Sequence, residues 1–157
     1  MRITTSRRRI IAFAATAVAA AGIAGCTPDD TRQRVESDMT VDWANQYQNA
    51  QRLQGKPVST GIKDTVSCDK GGPKVADKGP GKDWICMVHY TDPAAGKSGT
   101  TRYELFVHGE ACYTATDPKL IENSSLPDPT SGASKSNPLE QFDGCFSIYD
   151  NKTSTTK

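Results

Sequence analysis

Trp84-Ile85-Cys86-Met87-Val88-His89-Tyr90 decides how this chain folds. Trp84, Cys86, Val88 and Tyr90 recur at every second position, the period of a β-strand with one buried face. Two stretches answer it. Upstream, Ile62, Asp64, Val66 and Cys68 keep the same period. Downstream, Tyr103, Leu105 and Val107 do so within a strand expected over 101–108. Opposed residues of an antiparallel pair point to the same face. Cys68 opposite Cys86 then puts Val66 beside Val88. Tyr90 opposite Thr101 puts Val88 beside Tyr103, Cys86 beside Leu105 and Trp84 beside Val107. All apolar positions fall on one side. Gly109-Glu110 suits a two-residue hairpin turn with glycine first, leading into a fourth strand over 111–116.

Outward from this sheet, residues 69–83 and 91–100 read as loops. The first is rich in Gly, Pro and Lys, and its alternating charges suit a solvated surface. Before the sheet the period changes. Val35, Met39, Trp43, Tyr47, Ala50 and Leu53 recur at steps of three and four, the stripe of an amphipathic helix expected over 31–54. Asp30 or Thr31 can cap its start, and Gly55 followed by Pro57 stops it. Residues 117–149 form a C-terminal arm, rich in Pro, Ser and Asn until a short apolar segment carrying Cys145. Residues 150–157 are a polar tail expected to be disordered. The fold class is therefore α+β: one N-terminal helix packed on a four-stranded antiparallel sheet spanning 60–116.

The N-terminus reads as an export signal. Arg2, Arg7, Arg8 and Arg9 precede an apolar run from Ile10 to Ile23, too short to span a bilayer as a helix. Ile23-Ala24-Gly25-Cys26 closes it and resembles the lipobox of bacterial lipoproteins. That resemblance implies cleavage of the signal peptide 1–25, thioether lipidation of Cys26 and possible N-acylation, for instance by palmitate. The alternative is an ordinary secretory signal with an incidental cysteine. Ser6-Arg7-Arg8-Arg9-Ile10-Ile11 also resembles a twin-arginine export motif, which leaves the export route open between that pathway and the general one. Residues 26–30 would be a lipidated tether, and two acyl chains suffice for stable anchoring. The expected location is extracytoplasmic, on the outer face of the cell membrane. No cofactor is expected beyond the covalent lipid.

Removal of the signal takes away four arginines and no acid, so the formal charge of +1 becomes −3 over the remaining 132 residues. No clustered basic surface points to nucleic acid. The length suits one domain, and the modest apolar content of 36% implies a small core that benefits from staples. Setting Cys26 aside leaves Cys68, Cys86, Cys112 and Cys145, an even number in an exported chain, which reads as two disulfides. Three pairings exist. The strand parity favours Cys68–Cys86, which leaves Cys112–Cys145 to tie the arm to the sheet.

Cys86-Met-Val-His-Tyr, Tyr103-Glu-Leu-Phe-Val and Gly109-Glu-Ala-Cys112-Tyr113-Thr-Ala, with Phe142-Asp-Gly-Cys145 behind them, resemble small disulfide-containing lipoproteins of high-GC Gram-positive bacteria. Tyr113 stands where those proteins have Trp. The resemblance covers about residues 60–150. It implies architecture and location, and it implies no activity, since most such proteins have no known function.

Catalytic patterns are missing from the sequence. Gly96-Lys97-Ser98 resembles the end of a phosphate-binding loop, but Thr91 occupies the position of the earlier glycine. No Cys-x-x-Cys and no Gly-x-Ser-x-Gly occurs. His89 and His108, the only histidines, lie about 20 Å apart in the expected register, with His89 opposite Arg102. The chain therefore reads as a non-enzymatic binding or interaction module, with an unknown protein or an apolar ligand as partner. The alternative is an inhibitor of an exported enzyme, such as a cell-wall hydrolase, using the loop 69–83 as a plug. The face turned away from Trp84 is expected to carry Ile85, Met87, Phe106 and Tyr113. The C-terminal arm is expected to cover that surface; uncovered, it would be an interaction site.

Overall fold

The computed structural model describes residues 31–109, 111–120 and 125–146. The signal segment, Cys26, Asp30 and the tail 150–157 lie outside the described residues. One helix, α1 (Arg32–Leu53), packs on a five-stranded antiparallel sheet formed by β1 (Lys63–Lys70), β2 (Gly81–Asp92), β3 (Lys97–Val107), β4 (Cys112–Thr116) and β7 (Gln141–Cys145), in that order. A two-stranded ribbon, β5 (Ser125–Pro127) with β6 (Ser134–Ser136), lies between β4 and β7 in the chain. No helix among the described residues is long and apolar enough to cross a membrane.

The helix buries the expected stripe. Val35, Met39, Trp43 and Ala50 are buried, and Tyr47 packs against the core partly exposed. Trp43 stacks on Tyr47 at 5.1 Å and meets Tyr90 at 4.9 Å between ring centroids. Thr31 is the N-cap residue, yet its hydroxyl makes no capping bond. The backbone of the 71–80 loop does that work instead, with Arg32 N–H donating to Asp77 O at 3.0 Å. At the other end Gly55 takes φ +64° and Lys56 N–H returns to Gln51 O, the left-handed stop that glycine permits.

The expected β1–β2 register holds, with Cys68 opposite Cys86 and Val66 opposite Val88. Both disulfides pair as the parity argument has them, Cys68–Cys86 and Cys112–Cys145. The β2–β3 register does not hold. Tyr90 faces Gly99, Val88 faces Thr101, Cys86 faces Tyr103 and Trp84 faces Leu105. The connection is only the four residues 93–96, with Gly96 at φ +60° and Ala95 N–H bonded to Asp92 Oδ1 at 3.1 Å. An aspartate that bonds three residues ahead and a glycine in the left-handed region together make a compact turn, tighter than the expected loop 91–100. The slip is two residues, which keeps every side chain on its expected face. A bulge between Gly81 and Trp84 then places two β2 residues opposite Phe106.

The arm departs further from expectation. Its described residues leave Ile85 and Phe106 on the second face exposed. Its C-terminal part becomes a fifth strand on the β4 edge, with Cys112 opposite Cys145 and Tyr113 opposite Gly144. It also contributes Phe142, Phe146 and Leu139 to the same core that the helix covers. Tyr103 Oη donates to Leu139 O at 2.9 Å, and Asp117 N–H to Glu140 O at 2.8 Å, which close the return of the arm. Pairing wins over covering because an unpaired β4 edge would leave a row of backbone groups without partners.

Three of the buried polar residues, Gln51, Ser59 and Asp92, meet at the C-terminal end of the helix. Asp92 is fully buried and accepts from Ser59 Oγ at 2.6 Å, Gln51 Nε2 at 3.0 Å and Tyr47 Oη at 3.1 Å. Ser59 N–H in turn donates to Gln51 Oε1 at 2.8 Å. Helix, connecting segment and β2–β3 turn are thereby joined through one carboxylate. The Ser59 hydroxyl is the main cause holding the Asp92 carboxyl below its usual range, against the opposing effect of burial. Burial, then the bond to Asp92, pushes the Tyr47 phenol up to about 12. A lowered native pKa means that ionised Asp92 favours the folded state. That contribution is complete above the ordinary carboxyl value near ~4 and is lost as pH falls through the native value. Asp92→Asn therefore destabilises the protein at neutral pH, and its deficit against wild type shrinks toward pH ~3. Thermal melts at both pH values check this; an equal deficit at both would mean that the charge is not what holds the network.

Candidate functional site

The sheet has an inner face under the helix and an outer face without it. Alternation sends Trp84, Cys86 and Val88 inward and Ile85, Met87 and His89 outward. On the outer face, cross-strand rows follow the register: Asp69–Ile85–Glu104, Ser67–Met87–Arg102, Thr65–His89–Thr100 and Lys63–Thr91–Ser98. Ile85 is 39% exposed and Phe106 38%; Met87 is half-buried between its neighbours. Phe106 sits opposite Thr114. Lys82 Nζ lies 4.9 Å above its ring, and His108 packs against it at 4.1 Å between centroids. An ammonium over an aromatic face is attracted to the ring.

Of the four residues expected on this surface, Tyr113 is not there. It is fully buried on the inner face, opposite Val107 and Gly144. The reason is a single residue in the turn. A two-residue Gly109-Glu110 turn would place Phe106 opposite Tyr113. In the structure His108 N–H bonds Cys112 O at 2.8 Å and three residues intervene. One extra residue flips every side chain that follows. The third loop residue, Ala111, takes φ +61°, and Phe146 N–H bonds its carbonyl at 2.7 Å. Glycine or asparagine there would have announced a three-residue loop; alanine gives no such signal.

Tyr113 Oη donates to Asp42 Oδ2 at 2.7 Å, and burial followed by that bond raises its pKa far above the usual phenol range. Asp42 is thus a helix residue with a partner on β4 that the sequence did not disclose. Gly144 leaves room for the ring, as Gly99 does for Tyr90.

At the end of the outer face farthest from Trp84 lies an open trough of about 520 Å³, lined by Lys63, Thr65, His89, Thr91, Ser98 and Thr100 with the backbone around Asp64, Tyr90 and Gly99. Its hydroxyls pair across strands: His89 Nδ1 with Thr100 Oγ1 at 2.9 Å and Ser98 Oγ with Thr91 Oγ1 at 3.2 Å. His89 lies opposite Thr100, not Arg102, and His108 bonds Thr114 at the other end of the face, so the two imidazoles share no site. Behind the trough, the Asp64 Oδ2 atom is buried without a hydrogen bond, and burial raises that carboxyl's pKa. Among the described residues no three His, Cys, Asp or Glu side chains gather to hold a metal ion.

No protein family, curated protein or solved structure matches this chain.

Proposed function

We propose that the chain is a lipid-anchored extracytoplasmic lipoprotein whose domain acts as a non-enzymatic binding module. Its contact surface is the outer sheet face around Ile85, Met87 and Phe106. The anchor part of this reading rests on the lipobox-like Ile23-Ala24-Gly25-Cys26. The observation that favours the binding part is that the described residues of the C-terminal arm pair with the β4 edge and leave Ile85 and Phe106 exposed. A sheet needs only one apolar face to hold its helix, and a polar outer face would suffice for solubility. Ile85 and Phe106 are instead two of the exposed large apolar side chains among the described residues. An aromatic ring amid polar neighbours is the usual anchor of an interface.

Phe106→Asp tests the proposal. Because the ring is partly exposed, the variant should keep its folding stability within about 0.5 kcal/mol. Capture of the partner from a membrane extract by crosslinking should weaken by about 30-fold or more, the loss expected for a central aromatic anchor. Unchanged capture would remove this face from consideration. A large loss of stability would show that the ring belongs to the core.

A further inference from the structure

We propose that the segment 71–82 is the membrane-facing surface of the domain, with Lys74, Lys78 and Lys82 seated against anionic lipid headgroups. This inference rests on the lipid-anchor reading and goes beyond it to an orientation. Three observations carry it. First, the loop is fastened beside the tether. Thr31 bridges to Lys78, and Arg32 N–H bonds Asp77 O at 3.0 Å. Thr31 is five residues beyond Cys26. Whatever its conformation, such a stretch reaches no farther than about 18 Å. A lipid on Cys26 therefore holds this loop near the headgroups and leaves the other end of the domain free.

Second, the loop is fastened by hydrogen bonds and its charges are sorted. Lys70 turns inward, donating to the carbonyls of Lys78, Gly79 and Pro80 at 3.0, 3.1 and 2.7 Å. Trp84 Nε1 donates to Gly79 O at 3.1 Å. Asp69 and Asp77 are engaged locally, while Asp83, at the start of β2 beside Lys82, is exposed. Asp77 Oδ1 accepts from Lys70 N–H and its Oδ2 pairs with Arg32, while Asp69 Oδ1 accepts from Gly72 N–H. Lys74, Lys78 and Lys82 are exposed, Lys82 with its ammonium also 4.9 Å over the Phe106 ring, and Val75 stands among them 45% exposed. Third, the domain as a whole is acidic once residues 1–25 are removed, so this loop is a local positive pole on a chain that an anionic surface otherwise repels. Asp29 and Asp30 in the tether are repelled too, so the attraction falls on the three lysines. Such attraction acts over about 8 Å at physiological salt, within reach of the anchor.

Cys26 is the one cysteine outside the two disulfides. The chain from Cys26 onward can therefore be coupled through that thiol to a diacyl maleimide and placed on vesicles. Amine labelling read by mass spectrometry reports each lysine. On vesicles rich in phosphatidylglycerol, labelling of Lys74, Lys78 and Lys82 should fall about fivefold or more relative to phosphatidylcholine vesicles, from roughly one headgroup attraction per lysine. Lys97, at the far end of β2 and β3, should label equally on both. High salt should abolish the difference. Equal labelling of the three lysines on both vesicle types, or protection shared by Lys97, would overturn the orientation and leave the loop free to act as a plug. The anchor reading is tested apart, by fatty-acid labelling of cells. Labelling of wild type but not of Cys26→Ser supports it, and equal labelling refutes it whatever the vesicles show.

Discussion

Replacing both Cys112 and Cys145 by serine should cost about 4 kcal/mol of folding stability. The bridge closes 33 residues of chain, so without it the unfolded ensemble gains much freedom. Cys112 is half-buried and Cys145 exposed, so the loss reports the cross-link and not a cavity. The native consequence is local. β7 touches the sheet only through β4, and it carries Phe142 into the core; Phe146 follows directly behind. Freed of the bridge, β7 frays first, exposing the inner edge of the sheet near Tyr113. Urea denaturation of oxidised wild type and variant measures the loss, and amide exchange over residues 141–146 locates it. A loss below about 0.5 kcal/mol would mean that packing alone holds the strand.

Gly144→Ala should cost a similar amount, about 4 kcal/mol, combining overpacking with a weakened charge-assisted hydrogen bond. A Cβ at position 144 would lie 2.5 Å from Cζ and Oη of Tyr113 and would also strike the Asp42 carboxylate. The carboxylate can swing away; the fully buried ring cannot. Either β7 lifts from β4, or the Tyr113–Asp42 bond breaks and leaves a buried phenol unsatisfied. Tyr113→Phe removes the oxygen at the clash. The double variant Gly144→Ala/Tyr113→Phe should therefore be less destabilised than the sum of the two singles, by roughly 1 kcal/mol or more. Additive losses would show that the methyl group disturbs the strand by another route.

Much of this architecture was legible before any coordinates. Local periodicity was enough for the helix stripe from Val35 to Ala50 and for the inward faces of β1 to β3, because burial on one side imposes a period that survives errors of register. The β2–β3 slip of two residues shows the point: it changed every partner and no face. Cys68–Cys86 followed from the same parity, which left Cys112–Cys145 as the second pair. Where the chain turned, a single residue mattered. The 109–111 loop rests on Ala111 in a left-handed conformation held by Phe146, a contact made 35 residues later in the chain. No local pattern encodes it, so Tyr113 was expected outside and lies within.

The sequence by itself determined the helix, the strands β1 to β4, the inward faces of β1 to β3 and the Cys68–Cys86 pair, with Cys112–Cys145 as the remainder, because each depends on residues close together in the chain or on strict alternation. Only the tertiary structure decided what the C-terminal arm does, which charges the 71–80 loop turns outward, and which polar groups meet at Asp92. Those outcomes depend on partners far apart in sequence: Thr116 with Gln141, Thr31 with Lys78, Ser59 and Gln51 with Asp92. An unpaired strand edge, an orphaned helix amide and a buried carboxylate each need a partner from somewhere, and the folded chain supplies it from whichever segment is brought nearest.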